Sequence, residues 1–487
     1  MFQPFTDQAL TRAAGASLVP GNAVRLLKDA AEHYPAFLDA IRRAREYVHL
    51  DCYILADDPV GREFAEALAA RARAGVRVRV IHDWVGSVGR TGRRFWRPLR
   101  EAGVEVRPFN PPRLWAPLDW LRRDHRKTLV VDGRVAFVTG LCIAKEWTGD
   151  PARGIEPWRD TGLEIRGPAV ADVEQAFAEA WAATGEPLPE GQASRPAPPP
   201  EGSVSLRVVA GTTFSTGAFR LDTLVAALAR RRLWLADAYF AGTSIYVQAL
   251  RAAAHDGVDV RLLVPGASSD IALVQFVSRA GYRPLLEAGV RVFEWNGPMM
   301  HAKTAVADGR WARVGSTNLN LASWLGNWEL DVIVEDDGFG RAMEGMYEAD
   351  LANATEIVLG EGRLLRGSHR VRPVAPTTRR VHRGTGSGPR AAAGAIRIGY
   401  QISAAVTARR ALGPAEAALA GRTGVVLLTL AVVTLFFPLV TAVPFAVVAA
   451  WVGLSLLARA WRLRRGAAGR DPAPSTRPSQ RPGGGPS

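Results

Sequence analysis

Cysteine is nearly absent: the 487-residue chain has two, Cys52 and Cys142. A disulfide-stapled scaffold is therefore excluded, and no Cys/His group has the spacing of a zinc site. Lysine is almost as scarce, with Lys28, Lys127, Lys145 and Lys303 the four among 61 basic residues, and histidine numbers eight. The N-terminus lacks a basic stretch followed by an apolar one, so no secretory signal is expected. Residues 1–360 lack a charge excess as well, with 42 basic residues facing 44 acidic ones. The net charge of +14 comes from residues 361–487, where 19 arginines stand against three acidic residues. That distribution does not describe a domain-wide basic surface, and nucleic acid is not the expected partner.

What is present describes a globular chain, 48% apolar and 22% charged, of two or three domains. From Val19 to Asp350 helix-like and strand-like patterns alternate, which predicts the α/β class. A Pro- and Gly-rich linker at 186–203 (EPLPEGQASRPAPPPEGS) separates two parts, 1–185 and 204–360. Those parts repeat each other. Ile41–Tyr53 matches Leu228–Tyr239, and Ala74–Ile81 (AGVRVRVI) matches Asp256–Leu263 (DGVDVRLL). Leu99–Val106 matches Leu286–Val292, and HRKTLVVDG from His125 matches HAKTAVADG from His301. Four matches in one order indicate duplication. Each repeat is expected to be a mostly β central sheet flanked by helices.

Beyond the repeats lie an Arg-rich segment, 361–423, and then Val425–Leu457, 33 residues without a charge. A single span needs about 20 apolar residues. Pro438 and Pro444 divide the run, and arginines flank both ends. Basic flanks on both sides predict a helical membrane hairpin over 424–459 with both ends cytoplasmic, a single tilted span being the rival. A basic tail, 460–487, follows and is expected to be disordered.

Two of the four lysines stand two residues after a histidine at equivalent places in the repeats. Residues two apart on a strand share a face, so His125 with Lys127 and His301 with Lys303 are expected to project together. An imidazole serves as nucleophile or proton carrier near neutral pH, and a lysine beside it binds a phosphate oxygen. Two such pairs make a phosphate cradle that calls for no metal and no cofactor. Asp132 and Asp308, each before a glycine, fit either a type I′ turn or a catalytic role. Ser316 and Asn318 offer a hydroxyl and an amide to the same phosphate.

The pattern His-x-Lys-x4-Asp-x6-Gly-Ser-x-Asn, complete from His301 to Asn318, resembles the signature of the phospholipase D superfamily. In the first copy Thr139-Gly140 replaces the usual small Gly pair and Cys142 stands in the asparagine position. Within the superfamily, GNAVRLL from Gly21, VHLDCYIL from Val48 and Trp158-Arg159-Asp160 resemble bacterial cardiolipin synthases. The resemblance implies two tandem phospholipase D-like repeats and phosphatidyl transfer through a phosphohistidine. It makes His125 the nucleophile and His301 the acid/base, with Lys127, Lys303, Ser316 and Asn318 on the phosphate. Asp132 and Asp308 complete the catalytic candidates, and Glu329 is implied to orient a histidine. The expected partners are an anionic phospholipid and the inner (cytoplasmic) membrane, with the catalytic region on its cytoplasmic side. Hydrolysis by the same intermediate, an endonuclease and an inactive scaffold are the competing readings.

Overall fold

Two runs of seven strands, laid out in the same spatial order, form the framework. The computed structural model describes residues 3–113, 122–192, 196–266, 268, 272–360, 363–366 and isolated positions between 443 and 457. The first run comprises β1 (Val19–Lys28), β2 (Tyr47–Cys52), β3 (Arg77–Asp83), β4 (Glu105–Phe109), β5 (Lys127–Val131), β6 (Val135–Thr139) and β7 (Thr161–Arg166). The second comprises β8 (Val204–Gly211), β9 (Arg232–Ala236), β10 (Asp259–Pro265), β11 (Arg291–Trp295), β12 (Thr304–Ala307), β13 (Trp311–Gly315) and β14 (Glu329–Glu335). Their orders are β1-β7-β6-β5-β2-β3-β4 and β8-β14-β13-β12-β9-β10-β11. In each run the three strands farthest from β1 or β8 are parallel, and the rest are antiparallel. Strands β1 and β8 pair with each other, so the orders join across the halves. Two more strands, β15 (Ala354–Gly360) and β16 (Arg363–Arg366), extend the second run.

Alternation along the central strands explains the layering. Leu129, Val131 and Phe137 face a core shared with Phe37, Leu38 and Phe64 of the helices Asp29–Arg43 and Pro59–Arg73. Val130, Ala136 and Val138 face the other way, toward Val306, Ala312, Val314 and Val332 of the second half. Strands buried on both faces are apolar at every position rather than at every second one, as TLVV and TAVA are. The middle of the molecule is therefore a core between the inner faces of the two halves, to which the helices Val170–Thr184 and Asp337–Leu351 also contribute. Gly75 and Gly257, matched in the sequence, end helices at φ +87°, a conformation that glycine adopts without a Cβ penalty.

This α/β architecture of two repeated halves is the predicted one, and its described strands and helices belong to one unit. The predicted hairpin over 424–459 lies outside the described residues apart from isolated positions, as do most of 361–423 and all of the tail 460–487. Among the described residues no helix is long and apolar enough to cross a membrane.

Candidate active site

Two backbone clasps join the halves where the motifs begin. The N–H of His125 donates to the carbonyl of Trp328 at 2.8 Å, and the N–H of Trp328 to that of Arg123 at 2.7 Å. On the other side His301 donates to Arg159 at 2.7 Å, and Arg159 to Met299 at 2.9 Å. Each histidine thus lies beside the residue that precedes a carboxylate of the opposite half.

Those carboxylates are its partners. The Nδ1 of His125 is 2.8 Å from Glu329 Oε2, and the Nδ1 of His301 is 2.6 Å from Asp160 Oδ2. Glu329 is held in turn by the Asn327 side-chain amide at 2.9 Å, and Asp160 by the indole N–H of Trp147 at 2.9 Å. Burial pushes both imidazoles down, His125 to about 4 and His301 to about 3, while the facing carboxylate opposes the shift. The histidine and lysine charges outweigh desolvation at the carboxylates, holding Glu329 near 2 and Asp160 lower still. Both rings are neutral at pH 7, with Nδ1 committed to the carboxylate and Nε2 left for chemistry.

The lysines follow the same plan. Lys127 Nζ donates to the carbonyl of His125, and Lys303 Nζ to that of His301. Lys127 Nζ lies 4.9 Å from the Tyr53 ring centre and Lys303 Nζ 5.8 Å from that of Tyr239. Lys303 is driven down to about 8, first by burial, with the Lys127 charge contributing. His125 feels Lys303 and His301 feels Lys127, so the two motifs converge on one space. Ser316 Oγ accepts from the N–H of Leu330 at 3.0 Å, next to Glu329. Asn318 donates weakly to Ser323 Oγ at 3.4 Å, and its Oδ1 is buried without a partner among the described residues. Cys142 is buried in the same apolar core as Cys52, whose thiol donates to the Ile54 carbonyl at 2.9 Å, and the Cys142 thiol still feels the Lys127 charge.

Asp132 and Asp308 are not brought to this space, which corrects their catalytic reading. Each ends a strand whose other end carries the lysine, roughly 16 Å away at about 3.3 Å per residue. They occupy the left-handed region, φ 53° and 54°, followed by Gly133 and Gly309 at 63° and 67°, which is type I′ turn geometry. The Asp132 carboxylate accepts from the N–H groups of Arg45, Glu46 and Tyr47, and that of Asp308 from those of Arg230, Arg231 and Arg232. Their work is to fasten the motif strand to the chain entering the neighbouring strand.

Sequence reasoning did not assign a role to Asp160, Trp147 or Asn327. A signal for Asp160 exists in the register. Thr139 pairs with Gly162 and its counterpart Gly315 pairs with Asp331, so the residues two earlier, Asp160 and Glu329, are equivalent. Nothing in the sequence marks Trp147 or Asn327, whose roles depend on contacts between segments. Among the described residues no group of three or more His, Cys, Asp or Glu side chains is arranged to hold a metal ion.

The family model described as "Cardiolipin synthase, PLD-like domain" matches residues 37–181 and 225–351, one segment in each half. Cardiolipin synthase A of Pseudomonas aeruginosa is 33% identical over 363 residues, which span 74% of this chain and 73% of that one. The cardiolipin synthase of Geobacillus thermodenitrificans is 36% identical over 316 residues, 63% of this chain and 62% of the relative. Among solved structures, phosphatidylserine synthase of Haemophilus influenzae superposes with a TM-score of 0.55 at 14% identity. That match covers 74% of this chain and 92% of the other, and at such identity it is a likeness of fold alone.

Proposed function

The chain belongs to the cardiolipin synthase family of PLD-like proteins, and from that premise we propose that it is a phosphatidyltransferase joining two phosphatidylglycerol molecules, or a related phospholipid pair, with release of a small alcohol. The observation that carries the reading is the crossed pairing, His125 with Glu329 and His301 with Asp160. It leaves two imidazole Nε2 atoms available at a site with two lysines.

In this mechanism His125 Nε2 attacks the donor phosphorus, forming a P–N bond as the bond to the leaving glycerol oxygen breaks. His301 enters this step as imidazolium, its Nε2 protonated once the anionic phosphodiester is bound beside it, and gives that oxygen its proton. The hydroxyl of the second lipid then returns a proton to His301 and attacks phosphorus, and the P–N bond breaks. Glu329 balances the charge on the phosphorylated imidazole, and Asp160 stabilises His301 while it is protonated. Lys127, Lys303, Ser316 and Asn318 hold the phosphoryl oxygens. The uncharged run Val425–Leu457 with its arginine flanks supports a membrane hairpin, with the catalytic unit on the cytoplasmic face.

Incubating the purified chain with glycerol-labelled phosphatidylglycerol and separating the products tests the reading. Cardiolipin with free labelled glycerol is expected. Phosphatidic acid as the sole lipid product would replace transfer by hydrolysis. Cleavage of a nucleic acid with no turnover of any phospholipid would overturn the lipid reading altogether.

A further inference from the structure

Large apolar side chains are exposed on loops that lead away from residues of the site. Phe214 is 76% exposed, Ile245 61% and Leu321 38%. Single exposed apolar residues are ordinary on protein surfaces, but three on adjoining loops are not scattered. The Phe214 loop follows Gly211, which pairs with Glu329. The loop leading to Ile245 leaves Tyr239, whose ring lies 6.0 Å from that of His301. Leu321 comes three residues after Asn318.

Hydrogen bonds tie the three loops together. Phe214 N–H donates to Leu325 O at 2.8 Å, Ala241 N–H to Leu319 O at 3.1 Å, and the Asn320 amide to Tyr239 O at 2.9 Å. Phe214 has φ 69°, unusual for a bulky residue, and its loop is fixed in a shape that sends the ring to solvent. The first half contributes Ile155, 48% exposed, on the loop between Trp147 and Trp158, both of which pack against the His301 ring. Arg220, exposed in the first turn of the helix after the Phe214 loop, adds a positive charge.

We propose that this rim is an interfacial docking surface that seats the catalytic unit on an anionic phospholipid bilayer through Phe214, Ile245 and Leu321. The proposal rests on the lipid-transfer reading. The two histidines are buried or nearly so, so a phosphodiester must enter the site while its acyl chains stay out of water. Moving those chains through water is strongly unfavourable, because every methylene exposed adds to the cost. A rim of apolar side chains sunk into the headgroup region removes that barrier. The other end of the second half makes a control: Leu228, 40% exposed, lies two residues before the segment that hydrogen-bonds Asp308.

The test compares the full chain with the double variant Phe214→Ser/Ile245→Ser and with Leu228→Ser. Each is assayed on phosphatidylglycerol vesicles and on monomeric dihexanoyl phosphatidylglycerol. The double variant should lose at least about tenfold in vesicle activity, read as a rise in KM for lipid surface, and keep turnover of the monomer within about twofold. Leu228→Ser should match the parent on both. An equal loss on both substrates, or no loss on vesicles, would overturn the proposal.

An environment-sensitive fluorophore on Phe214→Cys supplies a readout independent of turnover, since Cys52 and Cys142 are buried. Its emission should shift to the blue on phosphatidylglycerol vesicles, and the same label on Leu228→Cys should not shift. A shift that grows with protein concentration without lipid would assign the rim to a second copy and overturn the proposal. A label already shifted in dilute protein and unchanged by vesicles would assign it to the chain's own segments and overturn the proposal equally. Failure of the parent on every lipid, with the vesicle shift retained, would sink the transfer reading and leave the docking surface standing.

Discussion

In the first half the His125 side chain is 12% exposed and faces a glutamate; in the second, His301 is 6% exposed and faces an aspartate. Backbone clasps and turns repeat across the two halves, and each lysine donates to the carbonyl of its own histidine, but Lys303 Nζ also lies 3.0 Å from His301 Nδ1 and the carboxylates differ by one methylene. That difference reaches into the motifs. Asp160 sits so close to Gly140 that a Cβ there would overlap its carboxylate. At the equivalent place in the second half, Ser316 has room for a hydroxyl beside Leu330. The incomplete first motif and the shorter carboxylate are therefore one structural fact. Duplication supplies a two-fold frame, and the chemistry inside it is unequal, with the hydroxyl and amide donors on one side.

Removing each histidine tests the inequality most severely. His125→Ala and His301→Ala should each lower turnover by about 10⁴ or more. The pair separates in a rapid-quench experiment with a donor lipid carrying a good leaving group such as p-nitrophenol. His301→Ala should still accumulate phosphohistidine, because that leaving group needs no acid, and His125→Ala should accumulate none. The opposite pattern would exchange the two roles.

Next come the carboxylates. Glu329→Gln and Asp160→Asn keep the shape and remove the charge that supports each ring, and each should cost about 10²–10³ in kcat. If Glu329 serves the phosphorylated imidazole, Glu329→Gln should slow formation of phosphohistidine from the activated lipid, whereas Asp160→Asn should spare that step. Equal slowing by both would show that the halves do not divide the labour.

A smaller effect is expected from pH. Lys303 is held near 8, so its charge is present below that pH and is lost as pH rises through it. The value of kcat/KM should fall about tenfold per unit above pH 8. An active Lys303→Arg variant should lose that limb because guanidinium stays charged, and Lys127→Arg should keep it.

The turn aspartates give an effect on stability without one on chemistry. Asp132→Ala withdraws an acceptor from three N–H groups and places alanine at φ 53°. A loss of about 1–3 kcal/mol in unfolding free energy is expected, measured by denaturant titration, with kcat of the folded fraction unchanged. A hundredfold loss of kcat at unchanged stability would restore the catalytic reading.

These aspartates also mark how far the sequence could be read. Duplication, the α/β class and the His-x-Lys pairs were legible because each is a local pattern or a repeat of one. At Asp-Gly two local meanings competed, and only the distance along the strand from Lys127 to Asp132 separates them. The crossing of Glu329 to His125 and of Asp160 to His301 was not legible. It depends on how one half packs against the other, and no spacing within a half encodes that.

The finest test of the comparison is at Cys142. Asn318 is the proposed donor to a phosphoryl oxygen, and Cys142 is its counterpart in the first motif. If that asparagine is simply missing from an otherwise equivalent site, Cys142→Asn should raise kcat. The packing argues otherwise. Cys142 is buried beside Cys52 and Leu55, and its own carbonyl already accepts from the Tyr34 hydroxyl at 2.7 Å. An amide placed there is desolvated with few partners, at a cost of about 1–3 kcal/mol. Cys142→Asn should therefore lower the unfolding midpoint and leave kcat within about twofold of the parent, whereas Asn318→Cys should lower kcat by about tenfold by removing a phosphate donor. A gain from Cys142→Asn would mean that the first half lacks a donor its fold can accommodate. Unchanged kcat with reduced stability would mean that this half has given up the donor position to its core, leaving that part of phosphate binding to the second half.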